Sequence, residues 1–469
     1  MPSTINVDVA IIGAGTAGMY ALREVMRADK SFVLIDQGPL GTTCARVGCM
    51  PSKVALHAAQ LWAGRKHMPA MGISGSENLL IDYRQTWQAL RAQRDQFSNG
   101  AASKARKAAG DNLIMGKARM LSPTRISVAT AAGEQLVEAQ RSIVATGSRP
   151  VRPHWLPSAA QGVITSDELF ELDDLPPRIG VIGLGAVGLE MSLALARLGI
   201  QVTAAGTGTL AGSADPDIAQ AAELRFSKEF DLWLGEPAKL EPKGKGWVLH
   251  SGSRRAEVDL VVAALGRQAN NDQLGLAEAG LPLDSKGQPV FDPQTLQVGQ
   301  LPVFIAGDAN GDRPLMHEAA DEGAMAGFNA CQPNPTAFRR KTPLAIAFSD
   351  PDLCTIGARY DQLDPEQILV GSAQGSSNGR ARILGGEESL IRLYADKRSG
   401  TLLGASLLCT AGEHLAHQLA WAIQRNETAL DLLQMPFYHP VIEEMLASAL
   451  QEIAKHFAGT AQPLGIPLD

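Results

Sequence analysis

Cys44 and Cys49 lie five positions apart in the run 41–53, GTTCARVGCMPSK. On an undistorted helix their Cα atoms would stand roughly 8 to 9 Å apart, beyond the ~7 Å that a disulfide tolerates without backbone movement. A bent turn is therefore expected, and a strained, accessible disulfide is the readily reduced kind. The chemistry this implies is electron exchange through sulfur rather than stapling. Cys331, Cys354 and Cys409 are scattered and read as small buried hydrophobes.

The elements around the pair are those of nucleotide binding. Residues 7–12 form an apolar run fit for a buried parallel strand, which feeds Gly13-Ala14-Gly15-Thr16-Ala17-Gly18 and then a helical pattern through Arg27. The next strand, 32–35, ends in Asp36, 23 residues after Gly13. Glycines at this spacing permit a tight turn and close approach to a pyrophosphate on the helix N-terminus, with the acid placed for a ribose. The pattern repeats: a strand over 178–182 enters Gly183-Leu184-Gly185-Ala186-Val187-Gly188-Leu189-Glu190, a helix runs to about Leu198, and a strand follows over 201–205. Two copies point to two dinucleotides exchanging electrons, with a flavin and a nicotinamide as the usual pair.

Between the repeats the pattern gives helices around 51–62 and 83–107 and strands ending at Ile143-Val144-Ala145-Thr146-Gly147. Another strand, 260–265, ends in Gly266-Arg267, and a third, 303–306, ends in Gly307-Asp308 before a helix from about Leu315. Asp308 is placed either at the ligand crevice of an α/β sheet or as a turn or N-cap residue. From Thr342 onward the chain reads as a separate α+β unit, with strands over 378–383, 390–394 and 402–408 and helices over 412–425 and 440–457.

Composition is that of an ordinary soluble protein: 469 residues, 45% hydrophobic and 19% charged, long enough for three or four compact units. A net charge of −7 argues against a nucleic-acid or anionic-membrane partner. No apolar run approaches a membrane span, and a strand starting near Val7 leaves no room for a signal peptide. A cytoplasmic protein is expected, and no metal site is assigned.

Taken in order, Gly13–Gly18, Cys44–Lys53, Ala145–Gly147, Gly183–Glu190, Gly266-Arg267, Ala306–Asp308 and His439–Glu444 resemble the flavoprotein disulfide oxidoreductases, across essentially the whole chain. The redox run is nearest the dihydrolipoamide dehydrogenase branch. The resemblance implies two Rossmann-like domains, for FAD and NAD(P), plus a C-terminal α+β dimerisation domain. The divisions it suggests are 1–150 and 271–341 for the two parts of the FAD-binding and central region, 151–270 for the NAD(P) domain and 342–469 for dimerisation. It implies FAD on Gly13, Gly15, Gly18, Asp36 and Asp308, and a nicotinamide nucleotide, NAD or NADP, on Gly183, Gly185 and Gly188. Thr146, Gly147 and Gly266 join the cofactor-binding set, and Lys53 and Glu190 match a pair near the flavin's reactive edge. Cys49 would face the flavin and Cys44 would exchange with substrate.

His439 resembles the family's acid/base and Glu444 its orienting carboxylate, reaching the disulfide of the other subunit in an obligate homodimer. The chemistry asks for such a dyad independently, because a thiol near its ordinary pKa needs a base to become a thiolate. Four positions depart from the family pattern: Thr42, Arg46, Phe437 and Val441, the second of these where Asn is common and the third where the dihydrolipoamide branch often has His. The tail 461–469 has no cysteine, unlike mercuric reductases and large thioredoxin reductases.

The leading expectation is oxidation of a small dithiol such as dihydrolipoamide with a nicotinamide as acceptor. The alternatives are an NAD(P)H-dependent reductase of another small disulfide, a component docked in a 2-oxoacid dehydrogenase complex, and a flavoprotein passing electrons to a quinone or metal. The intact cysteine pair disfavours the last.

Overall fold

The computed structural model describes residues 4–457 and Ile466. The cysteine-free tail noted above lies outside the described residues except for Ile466. The chain divides into two compact units, each assembled from three separated segments.

The first unit draws on 1–54, 88–152 and 266–340. Its frame is a parallel sheet in which Thr4–Ile12 pairs with Phe32–Asp36 on one side and Gly133–Val144 on the other. Leu113–Ser122 extends the sheet beyond Phe32–Asp36, and Val303–Ile305 extends it beyond Gly133–Val144. The strand Arg125–Thr130 is antiparallel to both Leu113–Ser122 and Gly133–Val144. The central strands are apolar on both faces, with Ile11, Leu34, Ile143 and Ile305 fully buried, as a sheet covered on both sides requires.

One cover is a helix pair, Thr16–Arg27 and Met316–Ala330. Gly323 and Gly327 lie one helical turn apart, and a Cβ at either would collide with the backbone of Ala17 or Ala21. Small residues at this spacing let the two backbones touch, so no side chain separates the fingerprint helix from its partner.

The second unit takes in 55–87, 153–265 and 341–469. It contains a parallel sheet in the order Asp231–Leu234, Gln201–Gly206, Arg178–Ile182, Leu260–Ala263, Val163–Thr165. It also contains an antiparallel sheet in the order Leu344–Ala347, Asp352–Gly357, Leu402–Cys409, Leu390–Asp396, Ile368–Gln374, packed against the helices Gly412–Gln424 and Glu444–Ala454. Ion pairs tie the two sheets of this unit together. Asp215, fully buried, caps the helix Pro216–Phe226 through the N–H groups of Asp217 and Ile218 and accepts from Arg392 Nε and Tyr394 Oη, both at 2.7 Å. Arg197 meets Asp350 at 2.6 Å and Glu229 at 2.9 Å.

Two local expectations are corrected. Residues 378–383 form no strand: Gly379–Ile383 is a short helix, because Asn378 Oδ1 accepts from Ala381 N–H at 2.8 Å and caps its first turn. The last long helix begins at Glu444 rather than near Pro440. The Glu444 carboxylate takes the N–H of Val441 at 3.1 Å, which holds 440–443 as a loop.

Candidate functional site

The bend expected between the cysteines is present. The helix Thr43–Val47 stops at Gly48, whose φ of −125° and ψ of −114° are not helical, and a new helix, Cys49–Gly64, begins at the second cysteine. The break folds the two thiols against each other: Cys44 donates to Cys49, and this hydrogen bond, followed by burial, pushes the Cys44 thiol well above its usual range. The Lys53 ammonium acts in the opposite direction on the same thiol. Cys49 stands at the N-terminus of a 16-residue helix, where backbone N–H groups favour negative charge. The Cys44 thiol therefore holds its proton more tightly than an ordinary thiol, while Cys49 stands where negative charge is favoured.

At the first fingerprint, a Cβ on Gly13 would strike the Ala145 carbonyl and one on Gly18 would strike the Gly13 carbonyl, whereas beside Gly15 there is nothing within 4 Å. Gly13 also needs its φ of +112°. Crowding at two glycines and open space at the middle one is the cradle a pyrophosphate requires, so the residues present fit a dinucleotide. Asp36 binds the loop directly, its Oδ2 accepting from Ala14 N–H and its Oδ1 from Gly38 N–H, each at 2.7 Å.

Thr146, Gly147, Gly266 and Asp308 are gathered in the same unit by residues that the sequence patterns did not single out. Ser148 Oγ donates to Asp308 Oδ2 at 2.5 Å and accepts from Arg267 Nε at 2.8 Å. Asn271 accepts from Thr146 Oγ1 at 3.1 Å and donates to the carbonyl of Ala309 at 2.6 Å. Glu322, fully buried, takes the N–H of Gly307 at 2.7 Å and pairs with Arg340 at 2.6 Å, fixing the turn that carries Asp308. Single polar residues of this kind have no periodicity. Their only sequence signal is proximity to a glycine-ended strand.

The second fingerprint repeats the first. Beside Gly185 there is open space, whereas Cβ atoms on Gly183 and Gly188 would strike the carbonyls of Ala264 and Gly183. Glu190, on the helix Ala186–Leu198, is only 4% exposed and accepts from Phe348 N–H at 3.0 Å.

His439 and Glu444 are joined. Glu444 Oε1 lies 2.9 Å from His439 Nδ1, and its other oxygen holds Val441 N–H. The carboxylate fixes the proton on Nδ1 and leaves Nε2 as the basic nitrogen. These same two hydrogen bonds, His439 first, hold the Glu444 pKa below its usual range. The imidazole is 79% exposed, open to a partner or substrate. Asn378 supports the loop from beneath, its Nδ2 donating to the Val441 carbonyl at 3.1 Å.

Cys354 and Cys409 are buried as expected, whereas Cys331 is half-exposed. Among the described residues no group of three His, Cys, Asp or Glu is arranged for a metal ion, and no helix is long and apolar enough to cross a membrane.

A chain with two dinucleotide cradles and one thiol pair on a broken helix is an oxidoreductase built to pass electron pairs between a nucleotide cofactor and sulfur. It belongs to the pyridine nucleotide-disulphide oxidoreductase family, whose model matches residues 7–323, with the family's dimerisation domain matching 344–450. The dihydrolipoyl dehydrogenase of Geobacillus stearothermophilus is 27% identical over 95% of this chain and 96% of its own length. That of Haloferax volcanii is 28% identical over 97% of each. Among solved structures, LpdA of Mycobacterium tuberculosis superposes with a TM-score of 0.84 at 22% identity, covering 95% of this chain and all of its own. The copper(II) complex of RclA, an HOCl-induced flavoprotein disulfide reductase of Escherichia coli, superposes at 0.82 and 22%, covering 95% of this chain and 99% of its own. The protein is thus an FAD-dependent disulfide oxidoreductase that uses a pyridine nucleotide, and its dimerisation domain supports a homodimer.

Proposed function

We propose that the protein oxidises a small dithiol, dihydrolipoamide being the best-supported substrate, and delivers the electron pair to NAD(P)⁺. The observation that carries this reading is the thiol pair itself, Cys44 and Cys49 folded together across Gly48. The curated relatives named above, dihydrolipoyl dehydrogenases matched over nearly their full length, support the choice of thiol.

The residue roles follow. Gly13, Gly15, Gly18, Asp36, Thr146, Gly147, Gly266 and Asp308 hold FAD, with Lys53 and Glu190 serving its reactive edge. Gly183, Gly185 and Gly188 hold the nicotinamide nucleotide. The bound flavin supplies a two-electron relay between sulfur and nicotinamide. His439 Nε2 takes the proton from a substrate thiol, whose thiolate attacks Cys44 of the oxidised pair and releases Cys49 as thiolate. The second substrate thiol then displaces Cys44, so the substrate leaves as a disulfide and the pair is left reduced by two electrons. Glu444 stabilises the imidazolium while it carries the proton. We further propose that the dyad serves the pair of the other subunit, that the segments 1–150, 151–270, 271–341 and 342–469 divide the work as their motifs suggest, and that the protein acts in the cytoplasm, where a lone redox pair suits a reducing compartment. Association with a 2-oxoacid dehydrogenase complex belongs to the same reading and is tested by co-purification with its lipoyl-bearing core.

Reduction of another low-molecular-weight disulfide by NAD(P)H is the second reading. Phe437, where the dihydrolipoamide branch often carries a second His, favours it. Steady-state rates with dihydrolipoamide plus NAD⁺ against NAD(P)H plus a disulfide panel separate the two. A dithiol rate less than a tenth of the best disulfide rate would reverse the preference.

A further inference from the structure

The two nucleotide turns differ by an exchange of volume between two neighbouring positions. In the first, Ala14 stands between the leading glycines and Asp36 ends the following strand, with its carboxylate on the Ala14 N–H at 2.7 Å. In the second, Leu184 and Gly206 hold those places: Gly183 matches Gly13, and Gly206 is 23 residues on, as Asp36 is from Gly13. A Cβ placed on Gly206 would stand 3.2 Å from Leu184 Cβ, 3.3 Å from its Cδ1 and 3.4 Å from its Cγ, tighter than ordinary packing. Leu184 has little room to yield. It is 4% exposed, and its carbonyl accepts from Ala211 N–H at 2.8 Å, so the turn Leu210–Gly212 closes over it.

We propose that Leu184 is the residue that sets coenzyme discrimination. It fills the volume that a ribose-binding carboxylate occupies in the first turn, so position 206, at the adenosine-ribose end of the nicotinamide site, is uncharged and closed to an acid. An acid there would hydrogen-bond the ribose hydroxyls of NAD and repel a 2′-phosphate, and position 206 can do neither. Of the two threonine hydroxyls that follow, both neutral, Thr209 Oγ1 is occupied, donating to the Ser213 carbonyl at 2.7 Å. NAD(H) and NADP(H) are therefore both accepted. The inference rests on the reading that Gly183–Gly188 holds the nicotinamide nucleotide.

The test uses FAD-loaded protein and four forms of it: the natural chain, Leu184→Ala, Gly206→Glu and Leu184→Ala/Gly206→Glu. Calorimetric titration with adenosine 5′-phosphate and adenosine 2′,5′-bisphosphate reads the ribose end directly, and kcat/KM with NADH and NADPH accompanies it. The natural chain binds the two probes within about tenfold of each other. Leu184→Ala weakens both by a similar factor, since it removes packing and no charge. Gly206→Glu lowers both affinities without separating them and lowers the thermal midpoint. The double variant, with space for the carboxylate, prefers the 5′-phosphate by about a hundredfold, the scale of a like-charge clash. If Gly206→Glu alone gave that hundredfold preference, Leu184 would be no obstacle and the inference would fall. The same follows if the natural chain discriminates a thousandfold. Should Gly206→Glu not fold, recovery of folding in the double variant supports the clash, and unchanged probe affinities in Leu184→Ala overturn it. If every variant folds and binds both probes as the natural chain does, the turn is not the nucleotide site, and the underlying reading fails as well.

Discussion

At the residue scale, the two cysteines are chemically unlike although they share one motif. The Cys44 pKa is raised because its thiol donates to Cys49 and is partly desolvated, whereas Cys49 begins a helix whose N–H groups favour charge. This asymmetry predicts separate phenotypes. Two-electron reduction of the holoenzyme is expected to give a long-wavelength absorbance from the Cys49 thiolate against the oxidised flavin. Cys49→Ser should abolish that band. Cys44→Ser should keep it while losing turnover with thiol substrates. Stopped-flow spectra of the two variants check the assignment, and exchanged phenotypes would reverse the roles. The bend was legible in the sequence, because a disulfide across a five-residue spacing is incompatible with a straight helix, whereas the different roles of the two thiols came only from the family resemblance. Ser148, Asn271 and Glu322 were not legible. Each acts through one or two hydrogen bonds to residues distant in the chain, and no local pattern encodes such partners.

At the scale of elements, glycine-ended strands and apolar periodicity were read well, since a buried parallel strand and the helix after a nucleotide turn have few alternatives. The errors fell where one polar side chain outweighed the local pattern. Asn378 turned an apparent strand into a capped helix, and Glu444 delayed the last long helix by binding Val441 N–H. A third polar side chain, Asp352, acts in the C-terminal sheet. Asp352, at the start of the strand Asp352–Gly357, accepts from Glu413 N–H at 3.1 Å. Burial pushes its pKa up to about 7 against the Glu413 hydrogen bond, with the charges of Glu413, Asp350 and Glu190 adding to the rise. The unfolded chain loses this proton near 3.8 and the folded chain near 7, so between those values folding takes up a proton. Stability from this group is full below the lower value and falls as pH rises through the window. Asp352→Asn removes the titration. Its thermal midpoint relative to the natural chain should climb from about pH 4 to about pH 7 and level off above. A difference that stays flat across that range would show that Asp352 ionises normally.

At the scale of the whole molecule, the proposed dyad and the proposed disulfide need not belong to one chain. His439 projects into solvent from the dimerisation domain, 79% exposed, with its basic nitrogen free of the carboxylate. A site shared between subunits makes a specific arithmetic prediction. Cys44→Ser and His439→Ala homodimers should each lose thiol turnover, the latter by ~10²-fold or more. A heterodimer of one of each retains one intact site and about half the natural activity per dimer. Tandem-tagged heterodimers assayed with dithiol and NAD⁺ measure it, and inactivity would place the dyad within its own subunit.

The bare contact between Thr16–Arg27 and Met316–Ala330 also governs the order in which the protein can be made. Gly323 and Gly327 rest on the backbone of Ala17 and Ala21, residues that leave the ribosome ~300 positions earlier. At about 5 to 20 residues per second, that separation amounts to roughly 15 to 60 s of translation. Throughout this interval the N-terminal fingerprint lacks the helix that covers it in the folded protein. The first unit is thus begun early and closed late.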